Sequence, residues 1–201
     1  MDGKLDSEKF AHDYTDAVFV GLGGCGINTI SRLRKAGLKG TRTLCISRFE
    51  EKQLVKGKDV VNFTLLKGMS AVRDHQPPVS AEERANAEKC VRDMIKGAKK
   101  VLLFAGLGGF TGTAIAPVAA AAAKAEGATL GVVITYPFKV EKKRCAIAEK
   151  AYPELQEMAD DFVLMKNDDL ALMFREMPIG EAFGLRDKQI ASAIMASGAK
   201  E

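Results

Sequence analysis

The sequence predicts a three-layer α/β domain built on a doubly wound parallel sheet. Three observations carry that expectation. Short apolar runs alternate with longer mixed segments along the chain. Several of those runs are apolar at successive positions, as strands buried on both faces are. Two of them pass through a glycine-rich turn straight into a helical segment.

The elements follow in order. Met1–Asp16 is charged and lacks the apolar core of a signal peptide, so it is expected as an arm or an appended helix. The domain then occupies residues 17–201. Strands are expected at Ala17–Gly21, Arg42–Ser47, Val60–Thr64, Lys100–Ala105, Thr129–Thr135 and Asp161–Lys166, all rich in Val, Ile, Leu or Phe. The helix expected at Ile27–Leu38 places Ile27, Ile30 and Leu33 on one face. Ser80–Lys96 opens with Ser80-Ala-Glu-Glu83, a pattern in which hydroxyl and carboxylate satisfy free backbone groups reciprocally. Thr113–Glu126 is alanine-rich and stops before Gly127. Lys142–Met158 and Ile179–Ser197 complete the set. Lys67–Val79, with Gly68, Pro77 and Pro78, reads as a loop at a strand end.

Composition narrows the function classes. The 201 residues are 47% hydrophobic and 28% charged, the balance of a globular protein able to fold without staples. Thirty basic against 26 acidic residues leave a net charge of +4, too small an excess to make nucleic acid the expected partner. Cys25, Cys45, Cys90 and Cys145 show no metal-ligand spacing, and His12 and His75 are the only histidines, so no metal site is expected. Reduced cysteines point to the cytoplasm. The uncharged stretch Val101–Ala123 contains four glycines and a proline, which suits a strand, loop and helix rather than a bilayer span. No direct membrane insertion is expected.

The chemistry is concentrated in two glycine loops. Gly21-Leu-Gly-Gly-Cys-Gly-Ile-Asn28 lies between a strand and a helix. Glycines there let the backbone approach an anion, and the helix aims its free N–H groups and positive dipole end at it. Gly106-Leu-Gly-Gly-Phe-Thr-Gly-Thr113 repeats the arrangement and adds two hydroxyls, Thr111 and Thr113. Neither loop has the lysine of a Walker motif. Phosphate charge would be met by amides, hydroxyls, helix dipoles and Mg²⁺. One such loop suggests a Rossmann-like dinucleotide fold; two suggest a polyphosphate held from both sides.

Gly108-Gly-Phe-Thr-Gly-Thr113 resembles the glycine signature of the tubulin/FtsZ GTPases, with Phe110 and Ala114 replacing two of its glycines. Val20–Leu33 is similar to the family's first phosphate loop and helix, Asn28 included, and Val101–Phe138 resembles FtsZ throughout, ending in Thr135-Tyr-Pro-Phe138. The resemblance implies an N-terminal GTP-binding domain that holds GTP or GDP, with Mg²⁺. It places phosphate contacts at Gly23, Gly24, Cys25, Gly26 and Asn28, and at Gly108, Gly109, Phe110, Thr111, Gly112 and Thr113. It gives the ribose and phosphate side to Glu141 and Arg144, spaced one residue closer than in the family. It gives the guanine to Asn167, Phe183 and Asp187. Guanine presents N1–H and N2–H donors that suit a carboxylate and an O6 that suits an amide. At positions four apart on a helix, Phe183 and Asp187 face the same way.

The sequence also departs from the family. Ser47-Arg-Phe-Glu50 lacks its Asn-Thr-Asp, and Gly68–Asp74 lacks the Gly-Ala-Gly of the γ-phosphate loop. The 201 residues contain no Asn-x-Asp-Phe-Ala-Asp, the acidic loop that positions the attacking water in a neighbouring subunit. A cut-out domain and a natural minimal relative both fit, the second better. Four functions follow: a guanine-nucleotide switch or assembly component with little hydrolysis alone, partnered by itself or another FtsZ-like protein; a self-assembling GTPase of the cell-division type; an NADP-dependent oxidoreductase, with Ser47 and Arg48 on the 2′-phosphate; and a scaffold without nucleotide.

Overall fold

A computed structural model describes residues 10–38, 42–49, 55–67, 78–173 and 176–198. Six strands form one all-parallel sheet: β1 (Val18–Leu22), β2 (Thr43–Ser47), β3 (Val60–Thr64), β4 (Lys100–Gly106), β5 (Thr129–Tyr136) and β6 (Asp161–Lys166). Their order across the sheet is β3-β2-β1-β4-β5-β6. The helices are α1 (Gly23–Lys35), α2 (Ala81–Ile95), α3 (Phe110–Ala125), α4 (Lys142–Met158), α5 (Asn167–Met173) and α6 (Ile179–Ser197).

The strands explain the sheet's two buried faces. In β4, Val101, Leu103 and Ala105 pack with Ala87 and Val91 of α2, Ile115 and Ala119 of α3, and Ala148 and Leu155 of α4. Leu102 and Phe104 point the other way, into a cluster with Ile30 and Leu33 of α1 and Ile190 and Ile194 of α6. Alternation along one strand thus feeds two cores, and helices cover both. Among the described residues, no helix is long and apolar enough to cross a membrane.

Two helices begin earlier than their apolar spacing suggests. α1 opens at Gly23 and α3 at Phe110, because the glycine turns themselves wind into the first helical turn. The short α5, which carries Asp168 and Asp169 in its first turn, is not among the elements expected from the sequence. Seven residues are too few to establish a helical period. Of the N-terminal arm, residues 10–16 are described and contain no helix. Phe10 and Tyr14 are buried, and Asp161 accepts from the backbone N–H groups of Ala11 and His12 and from the Tyr14 hydroxyl. The loop Lys67–Val79 lies largely outside the described residues, which resume at Pro78.

Candidate functional site

In an open parallel sheet, ligands bind beyond the carboxyl ends of the strands where the strand order reverses. Here that point lies between β1 and β4, and the glycine loops leave those two strands. The first turns of α1 and α3 have no side-chain cap and no acidic residue. Helix N-termini of that kind leave backbone N–H groups free for an anion.

Close approach brings the two loops together. A Cβ on Gly23 would lie 3.3 Å from the Thr111 Cβ, and one on Gly106 would lie 2.7 Å from the Cys25 Cβ. At Gly26 a Cβ would stand 2.1 Å from the Phe104 carbonyl oxygen, and at Gly112 2.3 Å from that of Gly106. These two glycines pack backbone on backbone. Gly109 differs: a Cβ there would meet nothing nearer than the Gly106 oxygen at 3.9 Å. Gly108 adopts φ +80°, which favours glycine, and its N–H donates to Thr113 Oγ1 at 2.9 Å. Thr111 is half-buried beside Gly23, while Asn28 and Phe110 are exposed.

Arg144 reaches the second loop despite the shorter spacing, and Glu141 is joined to the loop through it. Arg144 Nε donates to the Gly108 carbonyl at 3.3 Å, and its Nη1 donates to Glu141 Oε1 at 2.6 Å. The other Glu141 oxygen accepts from the Phe138 N–H at 3.0 Å. The pair therefore stands at the mouth of the loop as one ion-paired unit.

At the far end, Asn167 opens α5 directly after β6, while Phe183 and Asp187 lie on α6. Asp187 is fully buried and already partnered. Its oxygens accept from Arg32 Nη1 at 2.8 Å and from Thr29 Oγ1 at 3.2 Å, both on α1. A carboxylate has about four acceptor positions, so two remain.

Sequence reasoning missed Arg186. It is 5% exposed, its guanidinium carbon lies 4.8 Å from the centre of the Phe183 ring, and its Nη2 donates to Thr135 Oγ1 at 3.3 Å. Burial pulls this guanidinium below the ordinary arginine pKa, against the attraction of Asp187. Three buried polar atoms lack a hydrogen-bond partner among the described residues: Arg186 Nε, Arg186 Nη1 and Asn167 Oδ1. A single arginine in a helix reads as a solvated charge. The available signal was its place three residues after Phe183, on the same face.

The cation that an NADP site would need is engaged elsewhere. Arg48 is buried and donates to both Glu83 oxygens, at 2.7 and 3.1 Å, and to the Pro78 carbonyl at 3.2 Å. The Phe110 ring lies 6.0 Å from its guanidinium carbon. The segment Gly68–Asp74 lies outside the described residues. Among the described residues no three His, Cys, Asp or Glu side chains converge to hold a metal ion.

Residues 16–174 match the model of the Tubulin/FtsZ family, GTPase domain. Cell division protein FtsZ 2 of Methanocaldococcus jannaschii is 35% identical over 180 residues, covering 88% of this chain and 47% of that protein. FtsZ 2 of Haloferax volcanii is 35% identical over 182 residues, covering 88% and 44%. An empty FtsZ dimer structure from M. jannaschii superposes with a TM-score of 0.72 at 29% identity, over 90% of this chain and 53% of that one. The chain thus spans about half the length of these relatives. On the family match over residues 16–174 and the shared fold, it belongs to the tubulin/FtsZ family.

Proposed function

We propose that this chain binds a guanine nucleotide, GTP or GDP, and acts as an FtsZ-like switch or assembly component of the cell-division or cytoskeletal type. The observation that carries the reading is the pair of uncapped glycine N-termini meeting across the β1–β4 crevice. The phosphates lie between them, on the amides of Gly23–Gly26 and of Gly109–Gly112, with the Thr111 and Thr113 hydroxyls beside them. Thr113 Oγ1 accepts from Gly108 and keeps its own hydrogen to donate. Glu141 and Arg144 flank the ribose and phosphate side. Phe183 covers the base, and Asn167 and Asp187 face its edge.

No protein cage for Mg²⁺ is found among the described residues. The donors present suit an ion held by phosphate oxygens, hydroxyls and water, as Mg²⁺ commonly is beside nucleotides. Its role would be to neutralise phosphate charge.

Hydrolysis by these 201 residues alone should be very slow. Their sequence contains no acidic loop of the family's type, and Asp187 is held by Arg32 and Thr29. Positioning an attacking water typically contributes 10²–10⁴-fold. The test is a titration with GTP, GDP, ATP and NADPH, followed by a turnover assay. Binding of GTP and GDP only, with negligible turnover, is the expected result. Equal binding of ATP, or turnover rising steeply with protein concentration, would contradict it.

A further inference from the structure

The polar atoms without partners at the base end have a pattern. Arg186 offers two unpartnered donors, Nε and Nη1, and Asn167 offers one unpartnered acceptor, Oδ1. Native proteins leave few buried polar groups unpaired, and a buried guanidinium is among the costliest to leave so. The natural counter-ion next door is spoken for, since Asp187 accepts from Arg32 and Thr29 rather than from Arg186. Phe183 and Thr135 instead hold the guanidinium at the carboxyl end of β5. Asn167 lies at the same end of the sheet, because Thr135 pairs with Met165 and Tyr136 with Lys166. The unpaired groups therefore lie at the carboxyl end of the sheet, the end at which the two glycine loops leave β1 and β4.

We propose that Arg186 is a base-reading residue, donating to O6 of guanine while Asn167 Oδ1 accepts from the adjacent N1–H. The inference rests on the guanine-nucleotide reading above. Its chemistry is a matching of signs. A 6-oxopurine presents an acceptor, O6, beside a donor, N1–H. That is the complement of an arginine donor beside an amide oxygen. Adenine presents the reverse: its 6-amino group would meet the arginine, and its bare N1 would meet the amide oxygen. Asp187 then keeps its remaining lone pairs for the 2-amino group. Arginine has no acceptor and stays charged, so it cannot adapt to adenine as a rotating amide could.

The experiment is a calorimetric titration of GDP, IDP, ADP and the diphosphate of 2,6-diaminopurine riboside. It is run on the unmodified chain, on Arg186→Met and on Arg186→Lys, with circular dichroism to check folding. The unmodified chain should favour GDP and IDP over both 6-amino nucleotides by at least about 10-fold. Arg186→Met should weaken GDP and IDP by about 10–100-fold and leave the 6-amino nucleotides nearly unchanged, so discrimination collapses. Arg186→Lys should restore part of it. Three outcomes would overturn the proposal: Arg186→Met binding GDP as well as or better than the parent, an equal loss for all four nucleotides (a phosphate or structural role), or equal binding of GDP and the 2,6-diaminopurine nucleotide by the parent. The last decides the matter even if the variants do not fold. Failure of the parent to bind any guanine nucleotide overturns both this inference and the reading beneath it.

Discussion

Three helices on this sheet begin in two contrasting ways. α2 starts sealed: the Ser80 hydroxyl accepts from the Glu83 N–H at 3.1 Å, Glu83 accepts from the Ser80 N–H at 2.8 Å, and Glu82 and Glu83 offset the dipole. α1 and α3 start open, with glycines, no side-chain cap and no carboxylate in the first turn. The sealed end lowers the free energy of the fold by itself. The open ends lack that gain, and their first N–H groups have no side-chain acceptor. Within the open pair, glycines also differ. Gly26 and Gly112 lie backbone against backbone, whereas Gly109 borders open space. Absence of a side chain serves packing at the first two and leaves open space at the third.

The largest expected effect breaks the packing glycines. Gly26→Ala puts a Cβ 2.1 Å from the Phe104 carbonyl oxygen, so α1 must shift off β4. A loss of about 3 kcal/mol in stability is expected, read by urea denaturation. Gly109→Val should do the opposite: thermal unfolding close to the parent's, but GDP affinity lower by about 100-fold, because the side chain fills the phosphates' place. Normal GDP binding by a folded Gly109→Val would move the phosphates elsewhere.

Asp187→Asn sharpens the base end. Guanine-nucleotide binding should weaken by about 1–3 kcal/mol in a titration, the usual cost of an unpaired polar group. Stability should fall as well, since Arg32 loses its buried partner.

The sealed helix gives the smallest effect. Ser80→Ala should cost about 1 kcal/mol of stability and leave GDP affinity unchanged. Its acid sensitivity has a definite sign. Burial alone would raise the Glu83 pKa, but Arg48 and the Ser80 hydrogen bonds outweigh it and hold the carboxyl below its ordinary value. A depressed folded-state pKa contributes stability above the unfolded value, and that contribution fades as pH falls below about 4. Unfolding at pH 7 and near pH 3 should therefore differ less in Glu83→Gln than in the parent.

Much of this was legible because it is local. Six strand positions, the capping box and both glycine loops follow from short-range pattern and the stereochemistry of glycine. The family resemblance gave Glu141 and Arg144 the ribose and phosphate side; that Arg144 reaches the Gly108 carbonyl was not legible in the spacing. What stayed hidden depends on distant residues. Arg186 looks solvated until α6 is laid against β5, and the carboxylate of Asp187 looks free until α1 brings Arg32 and Thr29 to it. Arg48 looked like a ligand for a 2′-phosphate, yet Glu83, 35 residues later, takes its guanidinium. The partners of these charged side chains come from another element, which sequence spacing does not encode.

The most direct test of the central claim follows backbone amide signals during titration with GDP, using ADP as the control. Saturable shifts are expected at Gly24, Cys25 and Gly26 and at Phe110, Thr111 and Gly112, with Ala81, Glu82 and Glu83 silent and ADP far weaker. Shifts confined to one glycine loop, shifts centred on the start of α2, or no response to GDP would contradict the assignment of the phosphates to the two open helix ends.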